Sequence, residues 1–113
     1  MTTMSLRFDD QGLQARFVSE LARLGVPHVL AESGAVECPD TDWNQVNSVA
    51  HEIRDSCFRW YFSWFDSETD AQHFWAALRR SDLPFQVEHH KDRTVFLLAR
   101  EHESDYGALM SEW

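Results

Sequence analysis

The chain has 113 residues, 43% of them hydrophobic and 13% aromatic, a composition that suits one compact domain and excludes a disordered chain. Folding at this size buries roughly two thirds of the surface that the unfolded chain exposes, so neither a metal nor a disulfide staple is required. Ten Lys and Arg against 19 Asp and Glu leave a net charge of -9, which argues against nonspecific binding to nucleic-acid phosphates and to anionic membranes.

The amino terminus has no basic segment followed by a long apolar run, and no stretch nears the ~18 apolar residues of a spanning helix, so a cytoplasmic, unprocessed protein is expected. Residues 6–8 read as a strand. Asp9-Asp10 then caps a helix with apolar positions 13, 17, 21 and 24, and Pro27 stops it. A hairpin follows, 28–32 against 35–38 about Ser33-Gly34. Thr41-Asp42-Trp43 opens a second helix, with a hydroxyl cap and an acid in the first turn, and Trp43, Val46, Ala50 and Ile53 form its stripe.

Residues 57–65 admit a strand or an extension of that helix through Cys57, Trp60 and Trp64. A strand is favoured, because Asp66-Ser67 calls for a helix start immediately afterwards. Alternation groups Trp60, Phe62 and Trp64 on one face and Tyr61, Ser63 and Phe65 on the face turned toward the helices. A third helix follows with Ala71, Phe74, Trp75 and Leu78, ended by Pro84. A second hairpin pairs 85–88 with 94–99 across His89, His90, Lys91, Asp92 and Arg93. A last helix begins at Ser104-Asp105-Tyr106 with the stripe Tyr106, Leu109, Met110 and Trp113.

These elements repeat. Shifting the chain by 57 positions aligns 8–27 with 65–84, and six of the twenty pairs are identical: Phe8/Phe65, Asp9/Asp66, Phe17/Phe74, Leu21/Leu78, Arg23/Arg80 and Pro27/Pro84. Chance gives roughly one or two. A shift of 63 then aligns Thr41-Asp42-Trp43 with Ser104-Asp105-Tyr106. The expected fold is a single α+β domain over 1–113, internally duplicated as β-α-β-β-α halves (about 5–56 and 57–113) with approximate two-fold symmetry. Its sheet is expected to be ferredoxin-like with the helices packed on one face. Phe8, Phe17, Leu21, Val36, Phe74, Leu78 and Val95 are the expected core.

No catalytic signature stands out. Cys38 and Cys57 lack CxxC spacing and read as reduced, apolar groups. His28, His51, His73, His89, His90 and His102 show no HxxxH or HExxH spacing, so no metal site is expected; His28 reads as a strand residue near the core and the others as surface groups. No GxSxG elbow or phosphate-binding glycine loop is present, and the acids 9–10 and 66, 68 and 70 suit first helical turns. The bias to arginine, with Lys91 the one lysine, is what a GC-rich bacterial genome produces as readily as selection does, so no site is read from it. No cofactor and no enzymatic activity are expected.

Charge and aromatics remain. Acidic groups at Glu32, Glu37, Asp40 and Asp42, and at Glu101, Glu103 and Asp105, flank equivalent hairpin-to-helix connections, and five Trp are many for so small a domain, although most of them are expected in the core. The expected function is a small acidic protein-binding inhibitor of the immunity or antidote type, which neutralises a basic, nucleic-acid-acting bacterial toxin or nuclease-like enzyme. Those acids would steer the partner and Trp43, Trp60, Tyr61 and Trp64 would anchor it. Such a protein contacts no nucleic acid directly, is a monomer or a homodimer, and has as its alternative a regulatory or assembly module that binds a small molecule or pairs with itself.

Overall fold

The structure is a computed structural model that describes residues 3–111, so Trp113 of the last expected stripe lies outside the described residues. In chain order it comprises β1 (Thr3–Phe8), α1 (Gln11–Arg23), β2 (Val29–Leu30), β3 (Val36–Pro39), α2 (Trp43–Asp55), β4 (Trp60–Trp64), α3 (Glu68–Arg80), β5 (Phe85–His90), β6 (Thr94–Ala99) and α4 (Glu103–Met110). The fold is α+β, with four helices and one six-stranded antiparallel sheet ordered β2-β3-β1-β5-β6-β4.

Two of the expected helix caps form. Asp10 Oδ1 accepts from the Leu13 N–H at 2.9 Å and Ser67 Oγ from the Asp70 N–H at 3.4 Å, capping α1 and α3. The helices end at Arg23 and Arg80, before Pro27 and Pro84 are reached. Gly25, at φ 67°, is what turns the chain out of α1, with the Val26 N–H returning to the Leu21 carbonyl at 3.0 Å. The hydroxyl caps expected at Thr41 and Ser104 do not form. The turns Asp40–Asp42 and Arg100–His102 are 3₁₀ instead, and they lead directly into α2 and α4 without a side-chain cap. His28 lies just before β2 rather than in it, half-buried, with Nδ1 at 2.7 Å from the Val26 carbonyl.

Two cores form. Leu6, Phe8, Val36 and Cys38 pack against Phe17 and Leu21 of α1 and Val46, Val49, Ala50 and Ile53 of α2. Val87, Phe96 and Leu98 pack against Ala71, Phe74 and Leu78 of α3 and Tyr106 of α4. Opposed residues of an antiparallel pair share a face. Phe8 therefore shares its face with Glu88, and Leu6 shares it with His90, while Phe85 and Val87 point to the other side. So α1 and α2 lie on one face and α3 and α4 on the other. This corrects the expectation of helices on one face. The reason is topological: β4 stands three places from β1 in an antiparallel sheet and so runs the opposite way, and a unit whose strands reverse while their order across the sheet is kept must turn over.

In each half the third strand inserts between the first two. A ferredoxin-like sheet would seat β4 beside β1, but β5 takes that place, in antiparallel register, and β4 becomes the outer strand at the far edge. The helix pairs lie over their own halves, but α2 also reaches across to the second half, where Arg54 and His51 lie against Trp60 and Arg54 against Phe62 and Glu88. The bare face of the first half carries Ser5, Arg7 and Glu37. The corresponding face of the second half carries half-buried Trp60 and Phe62 and exposed Trp64, beside Ala99, Leu97 and Val95, which are buried.

Candidate functional site

The β4 segment, Trp-Tyr-Phe-Ser-Trp, is held in place from both ends. Trp60 Nε1 donates to Asp55 Oδ1 at 2.7 Å, tying the start of the strand to the end of α2, and five residues of β4 pair with β6. The Arg100 N–H donates to the Arg59 carbonyl at 2.9 Å, so Arg59 and Arg100 are a hydrogen-bonded pair of the ladder. Hydrogen-bonded and non-hydrogen-bonded pairs alternate, so the Tyr61/Leu98 and Ser63/Phe96 pairs are bonded. The N–H and C=O of Trp60, Phe62 and Trp64 consequently point away from β6, to the outer edge. The same three residues supply the aromatic face.

Those rings form a ladder over a buried charge pair. Trp60 and Phe62 have centroids 4.9 Å apart, and the Arg54 guanidinium lies 5.5 Å from the Trp60 ring and 4.8 Å from Phe62. Arg54, 2% exposed, donates from Nε to Glu88 Oε2 at 2.7 Å and from Nη2 to Oε1 at 2.8 Å, and from Nη1 to Asn47 Oδ1 at 3.2 Å. His90 Nε2 stands 3.0 Å from Glu88 Oε1, and its ring is 6.3 Å from Phe62. Burial pushes the Glu88 carboxyl up, but the hydrogen bonds from His90 and Arg54 and their charges outweigh it and hold the carboxyl below its ordinary value. Trp64, 49% exposed, closes the ladder with the Arg93 guanidinium 5.6 Å from its ring.

The structure divides the expected contact residues. Trp60, half-buried, and Trp64, exposed, lie on the sheet face away from α3 and α4. Tyr61 turns to the other side, half-buried against the second core, with its ring 6.4 Å from Tyr106; burial, then the Glu103 charge, pushes its phenol up. Trp43 packs against the first core. Glu101, Glu103 and Asp105 are exposed together after β6, beside the start of β4, with Asp105 Oδ2 3.2 Å from His102 Nδ1. Asp40, exposed, and Asp42, half-buried, follow Pro39, which faces Thr3 at the opposite end of the strands. Glu32 is exposed in the β2–β3 turn, across the width of the sheet from the β4 edge. The two acidic groups therefore do not form one patch.

Arg54, Glu88, His90 and Arg93 were not singled out by sequence reasoning as site residues. Arg54 carried a signal: it falls four positions after Ala50 on the buried stripe of α2. Nothing local indicates that its partner is Glu88, 34 positions away.

The thiols of Cys38 and Cys57 are both raised by burial, which disfavours the thiolate that nucleophilic chemistry uses. Among the described residues no three His, Cys, Asp or Glu converge on a place that could hold a metal ion, and no helix is long and apolar enough to cross a membrane. A groove between α1 and the β2–β3 turn is lined by Phe8, Gln14, Val18, Leu30 and Gly34. Gln14 uses its amide structurally there, accepting from the Phe8 N–H and donating to the Gly34 carbonyl. Comparison with family models, curated proteins and solved structures found no match to this chain.

Proposed function

We propose that this chain is a non-catalytic protein-binding module with β4 as its contact strand. One observation carries the reading: outward backbone groups and an aromatic ladder coincide on the same three residues of an edge strand. An added strand would gain main-chain hydrogen bonds from the first and desolvated anchors from the second. Edge strands are ordinarily blunted by charge, proline or a bulge, and Trp60–Trp64 carries no charged residue and no proline. A photo-cross-linking residue at Ser63 in the native host should capture protein, while one at Glu37, on the polar bare face, should not. Equal capture at both positions, or none at Ser63, defeats the reading.

A more specific form is neutralisation of a basic toxin or nuclease-like enzyme. Exposed Glu101, Glu103 and Asp105 beside the start of β4 support it, since they would steer a basic surface toward Trp60. Association with such a partner should slow as salt rises. A rate that is the same at low and high salt rejects this form and leaves the assembly form in place.

We also propose that the halves arose by internal duplication. The recurring identities, the recurring element order and the same strand insertion in each half support it. One rotation should overlay α1, β2 and β3 on α3, β5 and β6; a need for separate rotations for helix and hairpin counts against it.

A further inference from the structure

We infer that the partner that fits β4 is a second copy of this chain, joined edge to edge about a two-fold axis at Phe62. The inference rests on β4 being the contact strand proposed above, and it names the occupant.

A two-fold axis normal to the sheet preserves its faces, so a β4 residue can oppose only a β4 residue whose side chain lies on the same face. With the axis at Phe62, Phe62 opposes itself, Trp60 opposes Trp64 of the second copy, and Trp64 opposes Trp60. All three have their backbone N–H and C=O turned outward, as the Arg59–Arg100 bond dictates through the alternation of the ladder. Each opposed pair can therefore exchange two bonds, about six in all, with no residue of β4 left over. An axis displaced along the strand leaves part of the ladder unopposed.

Side chains and charges agree with that register. The three rings of one copy continue into the three of the other on the same face, covering Trp64, which is 49% exposed in the single chain. At the start of β4, Asp55 is exposed and holds Trp60 Nε1; at its end, the exposed Arg93 lies over Trp64. Setting Trp60 against Trp64 of the second copy brings Asp55 of each copy toward Arg93 of the other, once at each end. The shared net charge of -9 opposes approach at long range, where ordinary salt screens most of it, while these contacts act at short range.

Sedimentation equilibrium of the full chain from about 1 µM to about 1 mM, near 0.15 M salt, is the test. The mass should rise from 13.2 kDa to twice that value. Trp64→Glu and Arg93→Glu should each weaken dimerisation about tenfold or more, and Glu37→Arg should leave it unchanged. Adding Asp55→Arg to Arg93→Glu should restore most of what Arg93→Glu loses, since each copy then offers the swapped pair; circular dichroism confirms that every variant folds. A wild type that stays monomeric, variants that dimerise like it, or a charge swap that recovers nothing overturns the inference. A monomer that cross-links a different protein through Ser63 defeats self-pairing alone, and a monomer with no cross-link at Ser63 defeats the contact-strand reading as well.

Discussion

Replacing Arg54 by methionine keeps most of the volume beneath Trp60 and Phe62 and removes the guanidinium that two Glu88 oxygens accept from, at 2.7 and 2.8 Å. Glu88 is 0% exposed, so its carboxylate would be left with His90 and no guanidinium. Breaking such a pair from one side costs about 3–5 kcal/mol, a large share of the 5–15 kcal/mol or so that holds a domain of this size. Urea unfolding followed by tryptophan fluorescence and circular dichroism measures the loss. The double variant Arg54→Met/Glu88→Leu should recover to within about 1–2 kcal/mol of wild type, because no charge then stays buried without its partner.

The pH dependence follows from the same geometry, with opposite sign in the two proteins. In the wild type the folded Glu88 carboxyl is held below its ordinary value of 4.5, so its contribution is present above that pH and is lost as pH falls through the folded value. In Arg54→Met, burial loses its main opponent and the folded carboxyl moves up. The penalty is then greatest at neutral pH and is relieved on acidification, so the two stability curves should converge as pH drops. A single variant that costs less than about 1 kcal/mol, a double variant no better than the single, or curves that diverge toward acid pH would refute the reasoning.

Phe17→Ala and Phe74→Ala should each cost about 3–5 kcal/mol in urea unfolding, since both rings are 0% exposed and each sits in a different core. Tyr106→Phe should cost about 1–3 kcal/mol, because the Tyr106 hydroxyl accepts from the Ala99 N–H at 3.0 Å and donates to the Pro84 carbonyl, and both lose their partner. Cys38, 2% exposed, should react with a thiol reagent at neutral pH far more slowly than half-buried Cys57, and both more slowly than the unfolded chain; mass spectrometry of the labelled peptides would show it, and rapid labelling of Cys38 would contradict its packing.

What the sequence determined by itself is local. The caps at Asp10 and Ser67, the helical spacing of Phe17 and Leu21 and of Phe74 and Leu78, and the turn at Gly34 act over a few residues, and each element forms where those signals lie. The choice of a strand for β4 was legible because the start of α3 at Glu68 leaves no room for a longer helix, and alternation then sorted Tyr61 from Trp60 and Trp64 correctly. All seven expected core residues are buried, since burial follows from periodicity once an element exists.

Tertiary structure decided which face each half covers. That depends on β5 rather than β4 pairing with β1, a choice between edges that no local pattern records, and it alone separates the helix pairs onto opposite faces and sets the aromatic ladder on the face away from α3 and α4. The same choice brings Glu88 under the first helix pair, where Arg54 holds both of its carboxylate oxygens beside His90. It also sends the acidic connections to opposite ends of the sheet, because equivalent strands three places apart run antiparallel, so charges that look clustered along the chain are dispersed in space.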